Sequence, residues 1–600
     1  MCGITGIISK SKAAIDQSQL KTMNDLIAHR GPDGEGFYSN ENVGFGHRRL
    51  AIIDLSSDGH QPMSFQDKYI ITFNGEIYNY IEIRNDLIGK GYQFKSKSDT
   101  EVILAAYDFW GQNCVQYFNG MWSFAIHDKQ KEELFCSRDR FGVKPFYYKE
   151  TDTQFLFGSE IKQLINLNQD NLAHSDLIAH FLYTGMHDHE DRTFFQDIYK
   201  LPPSHNLIFD LKTNTKEITK FYTIAEPSNT NYEEVLKSAV SLRLRSDVKV
   251  GTCLSGGIDS STIAAIASKI YFQEAGQKFQ AIHAQSIEKE TDESEYAKEV
   301  AKIANIDLNI ITPNPEEFRS VLEEVVYTQE EPFGGPSIYL QYFVMKKARE
   351  IDCKVMLDGQ GGDETLLGYE RYFTAAYLNY LKTKGFVSFV KEIRASNKNN
   401  STMTIQRITK SILGAFLKGL ASKYARHKNE WFKRSAVPAS FPYQDETKKR
   451  ALDLKSLQEL ELFTTNLPAL LRYEDKNSMR HGIETRLPFI DYRSVETAIG
   501  LSLEKKISNG WTKIELRRIC EKLLSPKIAW RKNKLGFNAP DRSWLQTISP
   551  QIIKEINESK ILDQFVEKEL ISTLPIAGSW TTTWRIYNIA LWEKIYRVKV

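Results

Sequence analysis

Leu254-Ser255-Gly256-Gly257-Ile258-Asp259-Ser260-Ser261 decides how the second half of this chain folds. An apolar run at 248–254 leads into it, and residues 261–271 leave it with apolar positions at helical spacing. The reading is a strand, a glycine-rich turn and a helix. Two glycines let backbone N–H groups curl around phosphate oxygens, and the helix that follows points its positive end at them. Ser255, Ser260 and Ser261 supply hydroxyls, and the Asp259 carboxylate suits Mg²⁺. This is not a Walker A loop, because Gly-Lys-Ser/Thr is missing after the spacer. A bare Ser-Gly-Gly would read as a tight turn with Ser261 as N-cap. The whole string between a strand and a helix favours a phosphate cradle.

The same rhythm extends on both sides. A helix at 233–244 precedes the loop. Strands at 280–285, 308–312 and 354–357 alternate with helices at 293–304, 316–329 and 337–350. Such alternation predicts a doubly wound parallel sheet with ligands at the C-terminal ends of its strands. The last of these strands runs into Asp358-Gly359-Gln360-Gly361-Gly362-Asp363-Glu364, a second glycine-rich acidic loop. Asp363 and Glu364 are its candidate metal carboxylates. Mg-ATP accounts for two such loops at neighbouring strand ends better than two surface turns do. Beyond residue 370 the pattern is mainly helical.

Residues 1 to about 205 read differently. Short β-runs at 3–9, 44–53, 69–73, 122–127, 133–138 and 155–159 are broken by Gly-Pro-Asp-Gly and Asn-Gly-Glu turns. Helical stretches at 81–89 and 100–110 interleave, which predicts a layered α+β domain. A looser segment with Pro202, Pro203 and Pro227 reads as the connection. The expected domains are 2–205, a linker at 206–231, and 232–600.

Cys2 stands directly behind the initiator methionine. Methionine is usually trimmed before a small residue, which would leave one residue carrying both a thiol and a free α-amine. Their ordinary pKa values, about 8.5 and about 7.7–8.0, let the amine activate the sulfur directly or through one water. An N-terminal-nucleophile amidohydrolase is the reading.

Size and composition set the frame. A 600-residue chain needs more than one core. A net charge of +2 gives no reason to expect a nucleic-acid partner. Six scattered cysteines lack paired spacing, which fits reduced thiols in the cytoplasm. No apolar run approaches the roughly 18–20 residues of a membrane span, and no secretory signal is read.

An N-terminal cysteine amidohydrolase joined to a pyrophosphate loop resembles the glutamine-dependent asparagine synthetase family over nearly the whole chain. Matching motifs include Cys2-Gly3-Ile4, Arg30-Gly31-Pro32-Asp33, Arg49-Leu50-Ala51-Ile52-Ile53-Asp54, Asn74-Gly75-Glu76 and Ser98-Asp99-Thr100-Glu101. Further on stand the two acidic loops, Arg472-Tyr473-Glu474-Asp475-Lys476-Asn477-Ser478-Met479, Glu484-Thr485-Arg486 and Lys534-Leu535-Gly536-Phe537. The resemblance implies an N-terminal αββα sandwich of Ntn-hydrolase type and a C-terminal PP-loop domain with a helical extension. It implies that Cys2 forms a glutamyl thioester, with Asn74 and Gly75 as oxyanion hole. Arg49, Leu50, Ile53, Asn74, Gly75, Glu76 and Asp99 would bind glutamine. Leu254, Ser255, Gly256, Gly257, Asp259, Ser260, Ser261, Ala284, Asp358 and Gly359 would bind ATP. Asp259 and Asp363 would hold Mg²⁺, and Lys534 would neutralise the pyrophosphate. The implied partners are small molecules, and homodimers are common in the family.

Two features depart from that pattern. Well-known members carry Ser-Gly-Glu-Gly where this chain has Asp358-Gly359-Gln360-Gly361, and glutamine cannot act as a base. The acceptor is therefore expected to be aspartate or another carboxylate such as a hexuronic acid. Residues 381–434 hold thirteen Lys/Arg against only Glu392 and Glu430. With Ile405, Ile408, Ile412, Leu413, Phe416, Leu417, Leu420 and Tyr424 near helical spacing, the segment reads as an amphipathic helix with a basic face, or as a docking surface. A non-amidating ligase and a glutamine sensor are the competing classes; Cys2 argues against the first, and intact Cys2, Asn74, Asp99, Ser255, Asp259 and Lys534 argue against the second.

Overall fold

The computed structural model describes residues 2–225, 230–400, 404–409, 431–438, 442–450, 453–532, 539–573 and 580–600. The first half is built on two six-stranded antiparallel sheets. One runs in the order Ile198–Lys200, Tyr147–Glu150, Gln154–Gly158, Gly3–Ser9, Val43–Arg49, Gly34–Asn40. The other runs Thr215–Lys220, His205–Asp210, Glu133–Arg138, Gly120–Asp128, Tyr69–Ile77, Met63–Phe65.

Alternation along each strand stacks the layers. Ile4 and Ile8 enter the core between the sheets with Phe45, Phe157, Ile70 and Cys136, while Ile7 faces Leu20 and Met23 of helix Gln17–Asp25. On the other sheet Phe73, Phe124, Ile126 and Phe135 face Val102, Ile103 and Tyr107 of helix Asp99–Trp110, and Ile83 and Leu87 of helix Tyr80–Gly89. The result is helix, sheet, sheet, helix, as expected.

The expected linker at 206–231 is corrected through Lys220. His205–Asp210 and Thr215–Lys220 are strands, paired to each other and to Glu133–Arg138. Thr215–Lys220 is exposed at every position on the sheet edge, so no apolar face marked it.

The second half carries a five-stranded sheet in the order Asp307–Ile311, Gln280–Ala284, Val250–Cys253, Val355–Leu357, Glu484–Arg486, with every pairing parallel. Val250, Ala281 and Leu357 face one apolar cluster and Ile282 and Met356 another, so both faces are covered. The strand order reverses between Val250–Cys253 and Val355–Leu357, and both glycine-rich loops leave there, at the topological switch point. The expected helix at 316–329 is two, Pro315–Ser320 and Leu322–Gln329.

The halves share one core. Leu50, Ile52, Tyr78, Met121 and Phe141 pack in the same cluster as Leu236, Val240, Leu254 and Leu471. Of the basic stretch, helix Phe373–Asn399 is interrupted at Gly385, whose φ is 79°. Residues 410–430, including Ile412, Leu413, Phe416, Leu417, Leu420 and Tyr424, lie outside the described residues, as does Lys534. Among the described residues no helix is long and apolar enough to cross a membrane.

Candidate active sites

Cys2 opens the Gly3–Ser9 strand and is buried. Its backbone N–H donates to Asn74 Oδ1 at 3.0 Å, and its carbonyl accepts from Arg30 Nε at 3.1 Å. Asn74 belongs to Tyr69–Ile77 in the facing sheet, so sheet packing brings residues 2 and 74 together. Asn74 is fully buried, yet Nδ2 has no hydrogen-bond partner among the described residues. An orphaned buried donor beside a nucleophile is what an oxyanion requires. Gly75 next to it has φ +155°, and a Cβ there would lie 2.1 Å from Met121 O, so only glycine fits.

The charges around this site are buried. Asp99 starts helix Asp99–Trp110 behind its N-cap Ser98, and its Oδ2 accepts from Ile77 N at 2.9 Å. Burial pushes the Asp99 carboxyl up to about 6. Burial and the Asp99 charge push Glu76 well above the carboxylate range, even though Arg486 Nη2 lies 3.4 Å from Glu76 Oε2. Burial also raises the Cys2 thiol, against the Leu50 N–H directed at its sulfur. Arg49 ends strand Val43–Arg49, and its guanidinium donates to the carbonyls of Ser56, at 2.7 Å, and Asp54. Leu50 is buried and Ile53 half-buried beside this loop.

The second site is a cavity of about 530 Å³ at the switch point. Its wall includes Leu254, Ser255, Gly257, Asp259 and Ser260 of the first loop, Ala284, and Asp358, Gly359, Gln360 and Asp363 of the second. The hydroxyls are pre-arranged: Ser255 Oγ lies 2.9 Å from Ser260 Oγ and accepts from Gly257 N at 3.2 Å. Gly257, not Ser261, is the N-cap of helix Ile258–Ala275. Ser261 is fully buried and is not part of the cavity wall. Gly256 also stays behind the wall. At φ 82° it packs where a Cβ would come 3.0 Å from Ala297 N.

Lys513 was not anticipated. It sits 2% exposed in the left-handed region, φ 54°, at the N-cap of helix Ile514–Leu523. Its Nζ lies 2.5 Å from Asp259 Oδ2 and 2.7 Å from Asp363 Oδ1. A Cβ on Gly368 would come 1.8 Å from Asp363 Oδ1 and 2.3 Å from Lys513 Cε, so glycine is required beside this triad. Two carboxylates converging on one point are the hard oxygen donors that Mg²⁺ takes, so the expected pair fits the ion. Arg517, Arg531 and Lys532 add cationic lining, as a polyphosphate requires.

Comparison with known proteins assigns each half of the chain to a domain family. Residues 1–222 match the glutamine amidotransferase domain, and residues 231–593 match asparagine synthase. Asparagine synthetase (glutamine-hydrolyzing) 1 of Bacillus subtilis (strain 168) is 31% identical over 99% of this chain and 97% of its own length. Asparagine synthetase (glutamine-hydrolyzing) 3 of the same organism is 31% identical over 95% of this chain and 94% of its own. A putative asparagine synthetase (glutamine-hydrolyzing) 2 of Methanocaldococcus jannaschii is 36% identical over 64% of this chain and 78% of its own. The chain belongs to the asparagine synthase family, with a glutamine amidotransferase domain ahead of its synthase domain.

Proposed function

We propose that this protein is a glutamine-hydrolysing asparagine synthetase. It would convert ATP, L-aspartate, L-glutamine and water to AMP, pyrophosphate, L-asparagine and L-glutamate. The observation that carries the reading is the pairing, in one chain, of buried Cys2 against the orphaned Asn74 amide with a cavity floored by Asp259, Asp363 and Lys513.

After methionine removal, Cys2 Sγ attacks the side-chain amide carbon of glutamine, with its own α-amine as base. Asn74 Nδ2 and Gly75 N–H stabilise the oxyanion. Arg49 takes the α-carboxylate, and Glu76 and Asp99 take the α-ammonium. Ammonia leaves, and water hydrolyses the thioester.

In the second cavity an aspartate carboxylate attacks the α-phosphorus of ATP, and pyrophosphate leaves. Asp259 and Asp363 would hold Mg²⁺, which supplies charge neutralisation at the phosphates. Lys513 and the loop N–H groups favour charge on the departing pyrophosphate. Ammonia then displaces AMP from the acyl-adenylate. Six free cysteines suit a reducing compartment, so we place the reaction in the cytoplasm.

The test is pyrophosphate release with Mg-ATP and glutamine, with aspartate added or withheld and products identified by mass. Aspartate-dependent asparagine is expected. Glutaminase activity without asparagine would overturn aspartate as acceptor while leaving the glutamine site standing.

A further inference from the structure

We propose that Asp358, in the cavity wall with the Glu474 carboxyl behind it, accepts the proton that ammonia loses when the amide forms. Asp358 lines the cavity in which the acyl-adenylate would form, and Glu474 backs it. The inference rests on the function proposed above and names its base.

Chemistry demands such a group. When NH₃ attacks the acyl-adenylate carbonyl, the C–N bond forms and the nitrogen becomes cationic. One N–H proton must leave as the C–O bond to AMP breaks and its electron pair departs with the phosphate. The products are the amide, AMP and a protonated acceptor. Gln360, in the cavity wall, cannot take that proton.

The other acids of the wall are held by cations. Asp259 and Asp363 are bound to Lys513, Glu293 to Arg531, and the exposed Glu370 to Arg407. Asp358 differs: among the described residues neither it nor Glu474 forms an ion pair. Its carboxyl meets the Glu474 carboxyl, the Cys253 thiol and, at 2.5 Å, the Gly359 N–H.

Glu474 is fixed from behind. It is 2% exposed on helix Leu467–Arg480, and Gln341 Nε2 donates to its Oε2. Gln341 Oε1 accepts from Asn477 Nδ2 at 3.1 Å, and Asn477 Oδ1 accepts from Gln329 Nε2 at 3.0 Å. Two carboxyls bonded to each other hold one proton between them. Burial raises both carboxyls, and of the two it is Asp358 that stands in the cavity wall, so Asp358 is the member that meets the ammonia proton.

Three readouts test this: aspartate-dependent ATP–pyrophosphate exchange, ammonia-dependent asparagine formation, and glutaminase as a report of folding. Asp358→Asn should lower asparagine formation about 10²–10⁴-fold more than it lowers exchange, the usual size of a general-base effect. Gln360→Glu in the Asp358→Asn background should restore much of the loss, which a structural role would not allow. Glu474→Gln should fall between wild type and Asp358→Asn. Parallel loss of exchange and amide formation, unchanged amide formation in Asp358→Asn, or no rescue by Gln360→Glu would each overturn the proposal. If Asp358→Asn lacks glutaminase, Asp358→Ser with and without Gln360→Glu decides by the same readouts. A wild-type protein without aspartate-dependent exchange would instead overturn the function on which the proposal rests.

Discussion

Arg30 donates two hydrogen bonds to Asp475, at 2.9 and 3.2 Å, across the junction between the two halves of the chain. The same guanidinium holds the Cys2 carbonyl and Glu160, and Asp475 also faces Lys144 at 3.4 Å. All of these groups are buried, so removing one charge leaves the others uncompensated. Asp475→Asn should cost about 3 kcal/mol, the lower end for breaking a buried pair, because Glu160 still serves Arg30. A thermal unfolding scan would show the loss. Glutaminase should weaken as well, since Arg30 then holds the Cys2 carbonyl less firmly. An unchanged melting point would remove this contact from the account of how the halves are coupled.

Cys2→Ala should abolish glutamine-dependent asparagine formation and leave ammonia-dependent formation near wild type. The two sites have separate walls, with Cys2 against Asn74 and the phosphate cavity at the parallel-sheet switch point. Measuring both activities on one preparation checks this. Loss of both in a folded variant would mean that the sites are not separable.

Lys513→Met should remove aspartate-dependent ATP–pyrophosphate exchange. Its ammonium is the charge on which Asp259 and Asp363 converge, and it is buried at the N-cap of Ile514–Leu523. Loss of one clamp of this kind is worth about 10²–10³ in rate. Glutaminase should persist. If exchange survived, the cation of the pyrophosphate step would have to be sought elsewhere in the wall.

What was legible in the sequence follows from how locally each part is encoded. The loop at 254–261 carries its own strand, glycines and helix, so it could be read from eight residues. Cys2, Asn74 and Asp99 were legible as motif members, although only sheet packing brings them together. Lys513 was not, because its meaning lies in contacts with residues 254 and 150 positions earlier. The strand at 215–220 was misread as linker because an edge strand exposed at every position leaves no alternation to detect, whereas 205–210, paired on both sides, carries only the short apolar run Leu207-Ile208-Phe209 between turn residues. Glu484–Arg486, three residues with two charges, is a buried parallel strand for the same lack of local signal.

Glutamine affinity should weaken in acid. Burial raises Asp99 to about 6, so below that pH it is largely protonated and no longer attracts the substrate ammonium. The KM for glutamine is expected to rise as pH falls through about 6, with kcat changing less. Asp99→Asn should give a high KM that no longer responds to pH in this range. Glutaminase kinetics between pH 5 and 8 decide the point, and a flat wild-type KM would contradict it.

Stability should also fall in acid, through buried histidines. His47 is fully buried with Nε2–H donating to Phe73 O at 3.2 Å, and burial pushes it down to about 3. The unfolded chain binds that proton near its ordinary value of about 6.5. Between those limits the unfolded state holds more protons than the folded one, so stability rises with pH and is lost as pH drops from about 6.5 toward 3. His127, His187, His189 and His481, each pushed down to about 4 by burial, add to the same slope. One such histidine contributes at most about 1.36 kcal/mol per pH unit. His47→Gln keeps a donor for the Phe73 carbonyl but cannot titrate. It should therefore be somewhat less stable at neutral pH, where His47 packs well, and lose less on acidification. Urea unfolding at several values between pH 4.5 and 7 measures both effects. Equal slopes for the two proteins would show that His47 is protonated in the folded state, against its burial.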